Sequence, residues 1–104
     1  MDTKKIVLDY LGAWLSGDRA AARAPLADDL LFRSPDAEFD SADDFIGHCW
    51  HLSEQFDEMT VVHEIWSDEG GYLVYRMGDG SVGELYKIRD GKIAEVYVTY
   101  QPTQ

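Results

Sequence analysis

A chain of 104 residues, 45% hydrophobic and 12% aromatic, has room for one domain spanning 1–104 that buries about 60 to 70% of its unfolded surface, and none for a second. Nine Lys and Arg stand against twenty Asp and Glu, a net charge of −11, which repels phosphate backbones and anionic lipid and argues against nucleic acid and membrane as partners. One cysteine rules out an internal disulfide, no asparagine is present for glycosylation, and Met1 to Lys5 run into an amphipathic stretch without an apolar leader, so a cytoplasmic address is expected.

Ile6, Val7, Tyr10, Leu11, Trp14 and Leu15 repeat at i, i+4 and i+8 in two adjacent columns, which predicts a helix with one buried face, capped by Thr3 and ended by Gly17. Asp18 to Ala27 is rich in Ala and Arg with Pro25 inside, and predicts a short second helix that breaks before Asp28. Leu30 to Ser34 predicts a short strand stopped by Pro35, and Ala37 to Asp40 a second. Ser41 caps a third helix, with Asp44 as a weak capping box and Phe45, Cys49, Leu52 and Phe56 as its apolar stripe; the helix is expected to end near Gln55 or Asp57.

From Met59 the period changes to two. Strands are predicted at Met59 to Ser67, Tyr72 to Met77, Ser81 to Arg89 and Lys92 to Tyr100, joined by Gly-containing turns as an antiparallel meander. A two-residue turn at Asp79-Gly80 sets Tyr75 opposite Glu84, Met77 opposite Val82 and Leu73 opposite Tyr86, all on one wall. For the last hairpin, a two-residue turn adds Ile93, Glu95, Tyr97 and Thr99 to that wall, whereas a three-residue loop with a bulge at Gly91 adds Ala94, Val96, Val98 and Tyr100. The second set is the more apolar, which favours the bulge. The other face then carries Tyr72, Val74, Leu85, Ile93 and Tyr97 among Lys87, Arg89 and Glu95, too apolar for water, so a homodimer through the outer sheet face is expected.

Helices first and a meander afterwards predict an α+β fold, a curled antiparallel sheet wrapped around three helices. The order of elements, with Tyr10 to Asp18, Ala27 to Pro35 and Gly83 to Ile93 as the matching stretches, resembles the nuclear transport factor 2-like superfamily, and within it the SnoaL-like polyketide cyclase and ketosteroid isomerase branch. The resemblance covers nearly the whole chain. It implies a cone-shaped fold with an apolar pocket, in a superfamily that holds enzymes, ligand carriers and interaction domains. In the isomerases a tyrosine of the first helix and a protonated acid of a late strand donate hydrogen bonds to an enolate oxygen, while an aspartate moves the proton. Tyr10 matches the tyrosine and Glu84 the acid, one methylene longer. The base would precede Pro35; Ser34 stands there, and its hydroxyl is too weakly basic to replace a carboxylate.

Glu84 in a pocket walled by Tyr75, Tyr86, Met77 and Val96 loses hydration, which raises its pKa toward neutrality. Glu84 as acid or base with Tyr10 as oxyanion donor is the sharpest catalytic reading. The plainer one is a buried acid satisfied by a hydroxyl. Trp14, Phe32, Ser34, Trp50 and Val98 complete the candidate ligand pocket, although Trp14, Phe32 and Trp50 read first as core aromatics.

Other patterns lose force when their positions are checked. His48, Cys49 and His51 do not share one helix face, so no metal is expected, and His63 has no nucleophile spaced for a triad. Gly78 to Gly83 has the letters of a dinucleotide loop but precedes a strand rather than a helix. Asp36 to Asp44 lacks the glycine and the final glutamate of a calcium loop. Arg33 is placed either to bind a polar substrate group or to form a surface ion pair. The function expected is therefore that of a SnoaL-like protein, without cofactor, that either binds a small hydrophobic molecule or also moves a proton next to its carbonyl. The alternative is a non-catalytic interaction module whose pocket is closed by Trp14, Trp50 and Tyr86.

Overall fold

In the computed structural model, which describes residues 2–56, 58–78 and 80–102, the first helix, α1, runs Thr3–Ser16. Asp2 rather than Thr3 is its cap: the Asp2 carboxylate accepts the Lys5 N–H at 3.1 Å, and Thr3 is drawn into the buried first turn. Two good capping residues stand in succession, and the first one leaves the second free to be helical. Gly17 ends α1 in the left-handed conformation at φ 72°, where a side chain would be strained.

The second helix, α2 (Arg19–Arg23), is half the predicted length. Pro25 ends it, and the Pro25 carbonyl accepts the Ile93 N–H at 2.8 Å. The chain therefore enters β1 (Leu26–Arg33) four residues ahead of the predicted start. Leu26 pairs with Ile93 of the last strand, a long-range parallel contact that overrides the helical composition of this stretch. The strand β2 (Glu38–Phe39) is short. α3 covers Ala42–Cys49, with Ser41 accepting the Asp44 N–H at 3.3 Å, and the chain continues as a 3-10 turn over Trp50–Gln55; Asp57 lies outside the described residues.

The strands β3 (Thr60–Trp66), β4 (Gly70–Met77), β5 (Gly80–Arg89) and β6 (Lys92–Pro102) follow. One six-stranded, curved, unclosed sheet results, in the order β2-β1-β6-β5-β4-β3. β1 lies parallel to β6, and the other pairs are antiparallel. Val7, Tyr10, Leu11 and Trp14 of α1, with Phe45 and Ile46 of α3, pack in one core with Leu73, Tyr75, Tyr86 and Val96 of the sheet. No helix among the described residues is long and apolar enough to cross a membrane.

Two details of register differ from expectation. β4 meets β5 with Leu73 opposite Glu84, Tyr75 opposite Val82 and Met77 opposite Gly80, two residues away from the predicted pairing. Gly78, at φ 59°, begins the turn, while Asp79 lies outside the described residues. Gly-X-Gly offers two turn frames two residues apart in pairing, and both preserve the alternation, so the predicted side chains still share a wall. The last hairpin closes on a two-residue turn with Asp90 at φ 52° and Gly91 at φ 76°, the geometry that suits the twist of a hairpin. A bulge then falls inside the strand, between the pairs Ile88 with Ile93 and Lys87 with Glu95. Beyond it Val96 faces Tyr86, Val98 faces Glu84 and Tyr100 faces Val82, the expected apolar set reached by a different device.

Ile93 does not belong to the outer face. The two-residue turn sets it opposite Ile88, on the wall that carries Glu84 and Tyr86, and it is fully buried in the core there beside Leu26. Tyr72 remains exposed on β4, with Val74, Leu85 and Tyr97 half-buried.

β4 approaches β5 closely at its start. A Cβ on Gly70 would overlap the Tyr86 carbonyl oxygen, a backbone atom that cannot swing away. Gly70→Ala is expected to destabilise by about 2 to 3 kcal/mol, as overpacking does, in a urea unfolding curve. A loss below about 0.5 kcal/mol, the size of an ordinary surface change, would contradict this close approach.

Candidate functional site

Glu84 sits mid-strand on β5, only 7% exposed, where alternation turns it toward the helices. Val98 of β6 and Leu73 of β4 flank it in the sheet. A carboxyl in such surroundings needs partners, and two phenols supply them: the Tyr75 hydroxyl donates to Oε2 and the Tyr86 hydroxyl to Oε1. Tyr86 shares its face as the second residue on, and Tyr75 reaches across from β4 on the diagonal. Tyr10 of α1 stands edge-on to Tyr86 with ring centroids 6.3 Å apart, and likewise to Trp14 at 6.4 Å.

Burial raises the pKa of Glu84 above the ordinary carboxylate range, and the two phenol hydrogen bonds only partly offset it. Burial first, and then the nearby Glu84 charge, push the Tyr10, Tyr75 and Tyr86 hydroxyls far above the usual phenol value. All three thus stay protonated as donors at any working pH. The Trp14 indole N–H lies near enough to Tyr10 to lower its pKa slightly, yet it makes no hydrogen bond of acceptable geometry and is buried without a partner.

A cavity of about 550 Å³ opens over this cluster. Its base is buried and consists of Tyr10, Leu11, Trp14, Phe45, Cys49, Tyr75 and Glu84; Phe32, Phe56, Met77, Val82 and Val98 form half-buried walls. Asp36, Leu52, Gln55, Gly78 and Tyr100 are exposed and mark the rim. The lining arises because the apolar stripes of α1 and α3 face the sheet wall without meeting it at this end.

Of the residues singled out in the sequence, the structure brings Tyr10, Trp14, Phe32, Tyr75, Met77, Glu84 and Val98 to this cavity. Ser34, Trp50, Tyr86 and Val96 are not part of its lining. Tyr86 and Val96 are buried in the core, with Tyr86 still holding Glu84. Trp50 packs against Trp14 with ring centroids 4.7 Å apart. Ser34 is spent on the β1–β2 turn: its hydroxyl accepts the Asp36 and Ala37 N–H groups at 3.3 and 3.1 Å and reaches the Ala37 carbonyl at 3.1 Å. Ser34 thus does the local work that serines do in turns.

Sequence reasoning missed Asp36 as a rim residue, although it stands two places after Ser34. It also treated Phe45, Cys49, Leu52 and Phe56 as core alone, when their stripe faces the cavity. Arg33 is committed elsewhere. Its guanidinium donates to the Phe32 and Phe39 carbonyls and pairs with Asp40 at 2.9 Å and Glu38 at 3.2 Å, which ties β1 to β2. His48 lies against Phe39 with ring centroids 5.4 Å apart, and His48, His51 and His63 are all exposed while Cys49 is buried.

No protein-family model matches the chain, and no curated protein matches it. Solved structures do. A nuclear transport factor 2-like protein of Cytophaga hutchinsonii is 18% identical over 98% of this chain and 92% of its own, with a TM-score of 0.81. A SnoaL-like protein of Burkholderia thailandensis is 15% identical over 94% of this chain and 92% of its own, with a TM-score of 0.78. An LEH-like epoxide hydrolase of M. tuberculosis is 14% identical over 93% of this chain and 80% of its own, with a TM-score of 0.75. The fold is that of the nuclear transport factor 2-like superfamily. At these identities the likeness is one of architecture, and chemistry has to be argued from the site.

Proposed function

We propose that this is a SnoaL-like small-molecule-binding protein whose cavity takes an apolar carbonyl compound, and that Glu84 moves a proton next to that carbonyl without a cofactor. The observation that carries the reading is a buried carboxyl at the base of a 550 Å³ cavity with an exposed rim. Open space of this size is typical of small-molecule sites. It counts against the alternative of an interaction module with a side-chain-filled pocket.

The chemistry balances with the residues present. The Glu84 carboxylate takes a proton from the carbon next to the carbonyl, and the electron pair of that C–H bond moves to give an enolate. Tyr10, a protonated phenol at the base of the cavity, donates a hydrogen bond to the enolate oxygen. The protonated Glu84 then returns its proton to a different carbon of the substrate, which completes an isomerisation. The pKa of Glu84, raised by burial, makes its carboxylate a stronger base than an exposed one.

The outer sheet face supports a homodimer as part of the same proposal, since Ile65 is 73% exposed there and Tyr72 lies in the next strand beside it. A cytoplasmic setting fits the lone free Cys49.

Cys49 provides the test. It lies at the cavity base, and burial raises its thiol pKa, so reagents must pass through the cavity to reach it. A planar neutral ketone such as 2-acetonaphthone is expected to raise the melting temperature and to slow Cys49 alkylation about tenfold at ten times its Kd. In Glu84→Gln the binding should lose its pH dependence. Absence of both the thermal shift and the protection, across apolar ketones of this size, would overturn the reading.

A further inference from the structure

The ionisable groups of the cavity are of one sign. Among the described residues that line it are two carboxyls, Glu84 at the base and Asp36 at the rim, and no Lys, Arg or His. Of the cations nearest in sequence to the rim, Arg33 is bound to Glu38, Asp40 and two carbonyls, and Arg76 alternates on β4 with Tyr75 and Met77, which line the cavity, so it lies on the outer face. The chain as a whole carries a charge of −11. A carboxylate or phosphate ligand would meet no counter-charge among the described lining residues.

The walls point the same way. Trp14 stands at the centre of the aromatic lining, with Phe56 at 5.6 Å and Phe45 at 6.0 Å between ring centroids, and Tyr75 and Tyr100 complete it from the sheet. Aromatic faces carry negative charge density, and rings grouped with a carboxylate attract ammonium ions. Tyr100, at the rim, has its hydroxyl pKa raised by burial first, then by the charges of Asp36 and Glu84. The two carboxyls differ in setting: Asp36 is exposed, whereas Glu84 is buried between two phenols. The rim is suited to a charged end and the base to a neutral polar one.

We propose that the ligand of this cavity is an apolar carbonyl compound that also carries an amine, bound as its ammonium ion with the cation at the rim beside Tyr100 and Asp36 and the carbonyl at the base near Glu84. The inference rests on the cavity being the ligand site, as above, and adds the chemical class that it selects. Matching anions are excluded.

The test compares three acetophenones that differ only at the 4-position: CH2N(CH3)3⁺, its uncharged isostere CH2C(CH3)3, and CH2CO2⁻. Calorimetric titration at low and moderate salt reads their affinities for the intact chain. The ammonium compound should bind about tenfold more tightly than the isostere at low salt, with the ratio falling as salt rises. The carboxylate should bind more weakly than the isostere. Asp36→Asn should lower the ratio of ammonium to isostere affinity by about threefold, the scale of an exposed charge pair. If the isostere binds and the ammonium compound binds no better, the inference is overturned while the cavity reading stands. An ammonium preference untouched by Asp36→Asn would overturn the placement at the rim. Failure of all three to bind, with Cys49 unprotected, would overturn the inference together with the cavity reading.

Discussion

Glu84→Gln raises the melting temperature at pH 8 and flattens its dependence on pH. The folded-state pKa of Glu84 lies above the ordinary carboxylate value, chiefly through burial. A group raised in this way contributes stability that is fully present below its unfolded pKa and is lost as pH rises through its folded pKa. Glutamine has no proton to lose, and its amide can accept from one of Tyr75 and Tyr86 and donate to the other. The difference between mutant and parent is therefore near zero around pH 4.5 and grows to a plateau above the folded pKa. Each unit of upward shift costs the parent about 1.4 kcal/mol on that plateau, and each kcal/mol moves the melting temperature by about 4–8 °C in a domain of this size. The other carboxylates titrate alike in both proteins and cancel in the difference. Melting curves from pH 4.5 to 9 read it directly. A mutant less stable than its parent throughout this range would show that the ionised carboxylate is held favourably.

Trp14→Ala is expected to cause the largest loss of stability among the aromatic positions. Trp14 is 4% exposed and packs against Tyr10 on its own helix, Phe45 on α3, and Trp50 and Phe56 in and after the 3-10 turn. Truncating it removes the ring that holds the 3-10 turn against α1 and extends the cavity into the core. A loss of about 3–5 kcal/mol follows from comparable large-to-small changes, against a total of about 5–15 kcal/mol for a typical domain. Trp14→Phe should cost much less. It keeps most of the packing and deletes an indole N–H that is buried without a partner, which carries its own desolvation penalty. Urea unfolding of the two variants makes the comparison. Equal losses would mean that the N–H, and not the ring, stabilises the fold.

What could be read from the sequence follows from which forces are local. α1 was legible because its two apolar columns and the glycine that stops it lie within one stretch. The meander was legible because each turn brings its own glycine. The start of β1 was not, since Leu26 is held by Ile93 of β6, and no pattern near Leu26 encodes a partner so far along the chain. The pairing of β4 with β5 was off by two because glycines at 78 and 80 offer two frames. Alternation survived that error, and with it the wall that carries Tyr75 and Glu84. Glu84 and Tyr10 stood out through a family resemblance. That Tyr75 and Tyr86 hold the carboxyl depends on a diagonal and a rotamer, which sequence spacing does not specify. The resemblance also directed attention to Ser34, whose hydroxyl proves to be committed to its own turn.

The central claim is that a buried, hard-to-ionise carboxyl lies within reach of a bound ketone. The most direct measurement is a pH titration of the Glu84 side-chain carboxyl by carbon-13 NMR, assigned with Glu84→Gln and repeated with saturating 2-acetonaphthone. The account predicts a midpoint clearly above that of the exposed glutamates, displaced again when the ketone is bound. A midpoint in the ordinary carboxylate range, unmoved by any ketone that protects Cys49, would contradict it.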